Sequence, residues 1–221
     1  FLENKKIMVA HDGVDLKDYE IKENTEEIRE KLDLPEDKKI ITYVGKMKTM
    51  GESKGVEDLI LSFPEVLKIN KDSFMLLVGF NKDEILEAEN IFKNLKIPQE
   101  NYKLVGHIER SLVPLYLKAS DILVMNYPNV EHYALYMSPL KLFEYMASGV
   151  PIVSSDLPSI REILDDDSCC FYEEKEGMLN CFNKLISDKN YYQTICKEAF
   201  NKVFGYTWKN RANEVMNFLK K

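Results

Sequence analysis

Seven apolar runs of strand length recur along the chain, and most are followed by a stretch of helical periodicity. The runs occupy residues 7–10, 40–44, 74–78, 102–105, 122–125, 152–154 and 170–172. The helical patterns occupy residues 26–31, 56–69, 84–95, 112–119, 139–147, 159–164, 177–187 and 191–204, with a last one from 207 to 219. The runs are continuous rather than alternately polar, so each strand is expected to be buried on both faces. Such strands belong in a parallel sheet covered by helices. Right-handed crossovers then give a doubly wound, Rossmann-like α/β domain. In sheets of this kind ligands sit at the carboxyl ends of the strands, so the loops after the strands are where chemistry should lie.

With 221 residues, 45% of them hydrophobic, the chain can form one large domain with an appendage. We place the α/β domain at residues 1–204 and a separate helix at 205–221. In the latter, "GYTWKNRANEVMNFLKK", Trp208, Ala212, Val215, Met216 and Leu219 share one side, which is expected to pack on protein. The chain starts on Phe1 in mid-pattern, as a piece of a longer polypeptide would. The formal charge is 30 − 37 = −7 with no basic block, which argues against nucleic acid as a partner. No apolar run reaches the ~18 residues of a membrane span and no signal-peptide pattern is present, so a cytoplasmic protein is expected. Cys169, Cys170, Cys181 and Cys196 lack metal-finger spacing and read as reduced thiols. His11, His107 and His132 form no pair with metal-ligand spacing, so no metal is expected.

Two loops could carry chemistry. After the run at 40–44 comes "VGKMKTMGESKGVEDLI", in which Gly45 and Lys46 lead through a polar loop to Lys54 and Gly55 at a helix start. A helix N-terminus offers N–H groups and a positive dipole end, and the lysines add mobile charge, so the loop suits a phosphate. It is neither a P-loop nor a GxGxxG dinucleotide loop. Solvated lysines on an exposed loop are the alternative.

The second loop follows the run at 122–125 and ends in "SPLKLFEYMASGVP". Ser138 suits an N-cap, Pro139 the first helical position, and Gly149 the stop. The backbone amides of Leu140 and Lys141 would then face the same sheet edge as Lys46 and Lys54. Two helix starts and two lysines suit a pyrophosphate. Glu144, a turn further in, is placed to accept hydrogen bonds from sugar hydroxyls, or else to form an i,i+3 ion pair with Lys141.

Taken together, "VGKMKTMGESKG", "VGHIERSLVPLYLKASDILVMNYP" and "SPLKLFEYMASGVPIVSSDLPSIREIL" resemble the nucleotide-sugar-binding half of glycosyltransferase family 4. "HDGVD", with Gly13, is similar to the lead-in to that half, and "YTWKNRANEV" resembles its terminal helix. The resemblance spans nearly the whole chain in the right order, and "SPLKLFEYMASGVPIV" is its most specific part.

The resemblance implies a GT-B architecture, of which this is the C-terminal domain. It implies a retaining, metal-independent transferase that moves a hexose from a UDP-, GDP- or ADP-sugar to an acceptor hydroxyl. A basic pair replaces the metal ion on the donor diphosphate; Lys46 and Lys54 stand at its two positions and are the implied catalytic residues. Glu144 matches the glutamate that contacts the donor ribose. Gly106, His107 and Ile108 match the turn against the nucleobase. The companion glutamate that contacts the transferred sugar falls at Tyr136, a departure that leaves Glu131 and His132 as upstream substitutes. The acceptor, a glycan or lipid-linked glycan, would be bound by the N-terminal domain, toward which residues 205–221 would pack. A membrane surface is thus a candidate partner of the full-length enzyme. This half alone is expected to bind donor without transferring sugar. A sugar-nucleotide epimerase of the same fold and a non-catalytic nucleotide-binding scaffold are the competing functions.

Overall fold

The computed structural model describes residues 7–49 and 52–220. In chain order it forms α1 (Thr25–Lys31), β1 (Lys39–Val44), β2 (Lys48–Thr49), β3 (Glu52–Ser53), α2 (Val56–Ile69), β4 (Ser73–Phe80), α3 (Lys82–Asn94), β5 (Tyr102–Gly106) and α4 (Val113–Lys118). There follow β6 (Ile122–Met125), α5 (Glu131–Leu135), α6 (Leu140–Ser148), β7 (Ile152–Ser155), α7 (Pro158–Arg161), β8 (Cys170–Tyr172), α8 (Lys175–Ser187), α9 (Lys189–Val203) and α10 (Trp208–Leu219).

Six strands pair in the order β5-β4-β1-β6-β7-β8, every ladder parallel. The first strand is central. The chain winds outward through β4 and β5, then returns to the other side of β1 as β6. This is the expected doubly wound sheet, and its topological switch point lies at the carboxyl ends of β1 and β6. Successive side chains of β1 go to opposite faces: Ile41 and Tyr43 pack with Val56, Leu59 and Phe63 of α2, whereas Ile40 packs with Ile28 of α1 and Ala119. On the latter side Leu142, Phe143 and Met146 of α6 meet Leu123 and Met125 of β6 and Val203 of α9. Burying both faces accounts for the continuous apolar runs. Each such side chain contributes about 1.5–3 kcal/mol relative to exposure.

Local capping agrees with the pattern. Asn24 with Glu27 and Asn81 with Glu84 form reciprocal capping boxes at the starts of α1 and α3. Gly149 ends α6 in the left-handed conformation, φ 70°, which glycine adopts without a steric penalty. All four cysteines are free thiols, as expected.

Three expectations are corrected. The run at 7–10 is not a strand; Ile7 and Val9 are 65% and 71% exposed, so it has no buried face to select extended pairing. The polar loop after β1 contains an antiparallel hairpin, with Lys48 opposite Ser53 and Thr49 opposite Glu52. Met50 and Gly51 of that loop, and Phe1 and Lys221 at the ends of the two divisions, lie outside the described residues. Ser138 does not cap α6: the N-cap is Pro139, and no side chain caps the helix. Ser138 Oγ instead accepts from the backbone N–H of Asp12 at 2.9 Å.

No residue of α10 is buried, and Met216 and Leu219 are exposed, so its apolar side stays uncovered by the described residues. Its start is tied down: Thr207 bridges Val14, and Arg211 Nη1 donates to Asp12 Oδ1 at 2.6 Å.

Candidate functional site

The site is built where β1 and β6 diverge. Tyr43, the last inward residue of β1, donates its hydroxyl to the Lys46 carbonyl at 2.9 Å, which turns the chain out of the sheet. The hairpin carries it away and back, and Lys54 N–H closes the excursion on the Met47 carbonyl at 2.9 Å. Lys46 is exposed and Lys54 half-buried. Burial holds the Lys54 ammonium below its ordinary range, and the neighbouring Lys46 charge pushes the same way. Lys46 and Lys54 thus stand at the two ends of the hairpin excursion, near enough for the charge of one to act on the other.

Gly55 follows as the N-cap of α2, left-handed at φ 73°. Its carbonyl accepts from Asn126 Nδ2, and the Tyr172 hydroxyl donates to Asn126 Oδ1. Asn126, directly after β6, thus ties the loop that follows β1 to the end of β8. The residue was not singled out from sequence, although a buried polar side chain directly after an apolar strand is a recognisable signal.

On the β6 side, α6 begins at Leu140 and is docked onto β1 through Val44 N–H, which donates to the Tyr145 hydroxyl at 2.9 Å. The Lys141 side chain does not pair with Glu144; among the described residues no ion pair joins them. Lys141 Nζ lies 3.9 Å from the Tyr43 ring centroid and 5.1 Å from that of Tyr127. It also lies beside Gly45, where an added Cβ would stand 3.3 Å from it.

Glu144 is half-buried rather than on a solvated face. Burial raises its carboxyl above the ordinary range, while Arg110 and Lys141 pull it down. The Tyr19 hydroxyl is pushed up by burial and by Glu144 in turn. Tyr19 and Arg110, each in electrostatic reach of Glu144, line a cavity of about 290 Å³ with Val14, Asp18, Ser111 and Pro114. Neither Tyr19 nor Arg110 was legible as a site residue, because both come from short 3-10 turns without an apolar period. Gly106 ends β5, and His107, exposed, and Ile108 form the turn leading to Arg110.

Tyr136 is 70% exposed and donates its hydroxyl to Glu131 Oε1 at 3.3 Å. The tyrosine at the departed position and one of its upstream substitutes are thus adjacent. Gly13 sits against the backbone at Thr207 and Trp208, where an added Cβ would come within 2.8 Å, so it joins the leading segment to α10. Ser138 → Ala is expected to lower stability by about 1 kcal/mol, the cost of one lost hydrogen bond. Faster amide exchange at Asp12 without fraying of α6 would locate the loss; fraying of α6 alone would contradict the observed bond.

Among the described residues, no three His, Cys, Asp or Glu side chains gather where they could hold a metal ion. No helix among them is long and apolar enough to cross a membrane.

A sequence profile for the family described as Glycosyl transferases group 1 matches residues 24–202. Comparison with curated protein sequences gives no match. Among solved structures, the C-terminal domain of a glycosyl transferase group 1 family protein (LpcC) from Francisella tularensis aligns with a TM-score of 0.71. The two are 22% identical over 87% of this chain and 97% of that one. Sucrose-phosphate synthase from Thermosynechococcus elongatus aligns with a TM-score of 0.76 at 20% identity, over 95% of this chain and 51% of that one. The Anabaena protein HepE, in complex with UDP and glucose, aligns at 0.78 and 16% identity, over 95% and 55%. At these identities the likeness is one of fold. The chain spans about half the length of the last two structures.

Proposed function

The chain belongs to the glycosyl transferases group 1 family, and from that premise we propose that it is the donor-binding half of a retaining hexosyltransferase. The donor is a nucleoside-diphosphate sugar. The observation that carries this reading is the meeting of Lys46, Lys54 and the start of α6 at the switch point, with Glu144 set one turn deeper beside the Tyr19–Arg110 cavity.

In this reading the donor is held in two parts. The diphosphate lies in the crevice between β1 and β6, against the lysines and the Leu140 and Lys141 amides. The nucleoside runs toward Glu144 and the turn at Gly106, His107 and Ile108. Breaking the bond between anomeric carbon and diphosphate builds negative charge on the leaving oxygens, and groups already in place stabilise it without reorganising. Glu144 accepts from ribose hydroxyls, and Tyr136 with Glu131 faces the sugar end. The acceptor, a glycan or lipid-linked glycan, and the α10 apolar side would meet a further domain, at a membrane surface if the acceptor is lipid-borne. The 221-residue chain alone is then expected to bind donor without transferring sugar.

Calorimetric titration with UDP, GDP and ADP, and with inorganic pyrophosphate as a control, tests the reading. Glu144 → Ala is expected to weaken nucleoside-diphosphate binding about tenfold, the effect of a lost hydrogen bond to a charged group, and to leave pyrophosphate binding unchanged. Equal losses for both ligands would remove Glu144 from the ribose. No binding of any nucleotide would leave the family membership and sink the donor reading.

A further inference from the structure

The Lys141 side chain has no task in the site described so far. Its Nζ is buried and has no hydrogen-bond partner among the described residues. Burying a polar group unpaired costs free energy, so a site that keeps one there holds a place for something. The reach of the side chain follows from helix geometry. Side chains lean toward a helix's N-terminus, so a lysine in the first turn extends past the helix end. Here that direction leads into the crevice between β1 and β6, to the faces of Tyr43 and Tyr127 and the edge of Gly45.

We propose that the Lys141 side chain is a third diphosphate ligand, and that a nucleoside diphosphate draws one proton from solvent onto its amine as it binds. This rests on the donor-binding reading above. The surroundings work against the ammonium until an anion arrives. Burial pushes it well below the ordinary lysine range, the Lys54 charge pushes the same way, and Glu144 alone opposes them. Lys46 and Glu84 act on Lys54 with opposite signs, and Arg110 offsets Glu144. Tyr43 and Tyr127 are themselves pushed up by burial and stay neutral, so their rings can face an ammonium once it forms. A bound diphosphate reverses the balance by setting negative charge against Nζ. The step is R–NH2 + H+ → R–NH3+, and no bond of the nucleotide changes.

The test is calorimetric titration of the chain with UDP near pH ~8, where phosphate groups with a second pKa of about 6 are already ionised. Running it in two buffers of contrasting ionisation heat counts protons. The parent is expected to take up close to one, and its affinity to fall toward tenfold per pH unit as pH rises. Lys141 → Met is expected to bind UDP at least tenfold more weakly, with no proton uptake and a flat pH profile. Removing an unpaired buried amine should leave its melting temperature at or above the parent's, so weak binding would not reflect unfolding. Two results overturn the proposal while leaving donor binding intact: UDP binding by the parent with no proton uptake, or uptake that persists in Lys141 → Met and so belongs to Lys54. Absence of binding to UDP, GDP and ADP alike would instead strike the reading beneath it.

Discussion

Gly55 → Ala is expected to be the most damaging single-methyl change in the chain. An alanine Cβ at this position would overlap the carbonyl oxygen of Asn126. The neighbour is backbone at the end of a central strand, so it cannot swing aside as a side-chain tip could. The left-handed φ of 73° adds a penalty of about 1–2 kcal/mol for any residue with a Cβ. Relieving an overlap in packed surroundings costs about 1–3 kcal/mol more. A total of about 3 kcal/mol corresponds to a fall of roughly 6–12 °C in melting temperature for a chain of this size. The functional loss should exceed what stability explains, because the same shift moves Lys54 and the start of α2 relative to β6. Misplacement on the scale of 1 Å can cost about a hundredfold in a preorganised site. Thermal melts and UDP titration below the melting temperature separate the two effects. An alanine variant that melts and binds like the parent would show that α2 does not need this close approach.

The sheet was legible because burial on both faces leaves its mark on every strand residue, as in Phe74–Val78 and Ile122–Met125. The hairpin at Lys48–Ser53 was not, because two-residue polar strands carry no period. The run at 7–10 misled for the opposite reason: its residues are apolar but exposed, and composition alone cannot report that nothing covers them. Lys46, Lys54 and Glu144 could be placed because strand ends and helix starts fix backbone positions. Side-chain directions were harder. Ser138 followed by proline has the form of an N-cap, yet its hydroxyl serves a backbone N–H 126 residues away. Lys141 and Glu144 have ion-pair spacing, yet the lysine leans past the helix end while the carboxylate stays a turn inside. Asn126, Tyr19 and Arg110 take their places from tertiary contacts that local pattern does not encode.

Lys54 → Met is expected to cause the largest loss of donor affinity that leaves the fold intact. The substitution keeps the unbranched stem and removes only the charge. Lys54 makes no ion pair among the described residues, and burial together with Lys46 already strains its ammonium, so the empty protein should not lose stability. The whole effect then falls on the bound state. A charge-assisted hydrogen bond to phosphate is worth about 1.5–3 kcal/mol, or roughly 10–150-fold in affinity. Lys46 → Met should do less, because Lys46 is exposed and its field is screened by water and salt. Raising salt should therefore narrow the gap between the parent and Lys46 → Met while largely preserving the Lys54 deficit. The order Lys54 above Lys46 follows from burial rather than from charge, which the two share. UDP titrations at low and high salt measure it. If Lys54 → Met binds UDP as tightly as the parent, the diphosphate does not lie between β1 and β6, and both the basic pair and the Lys141 amine lose their ligand.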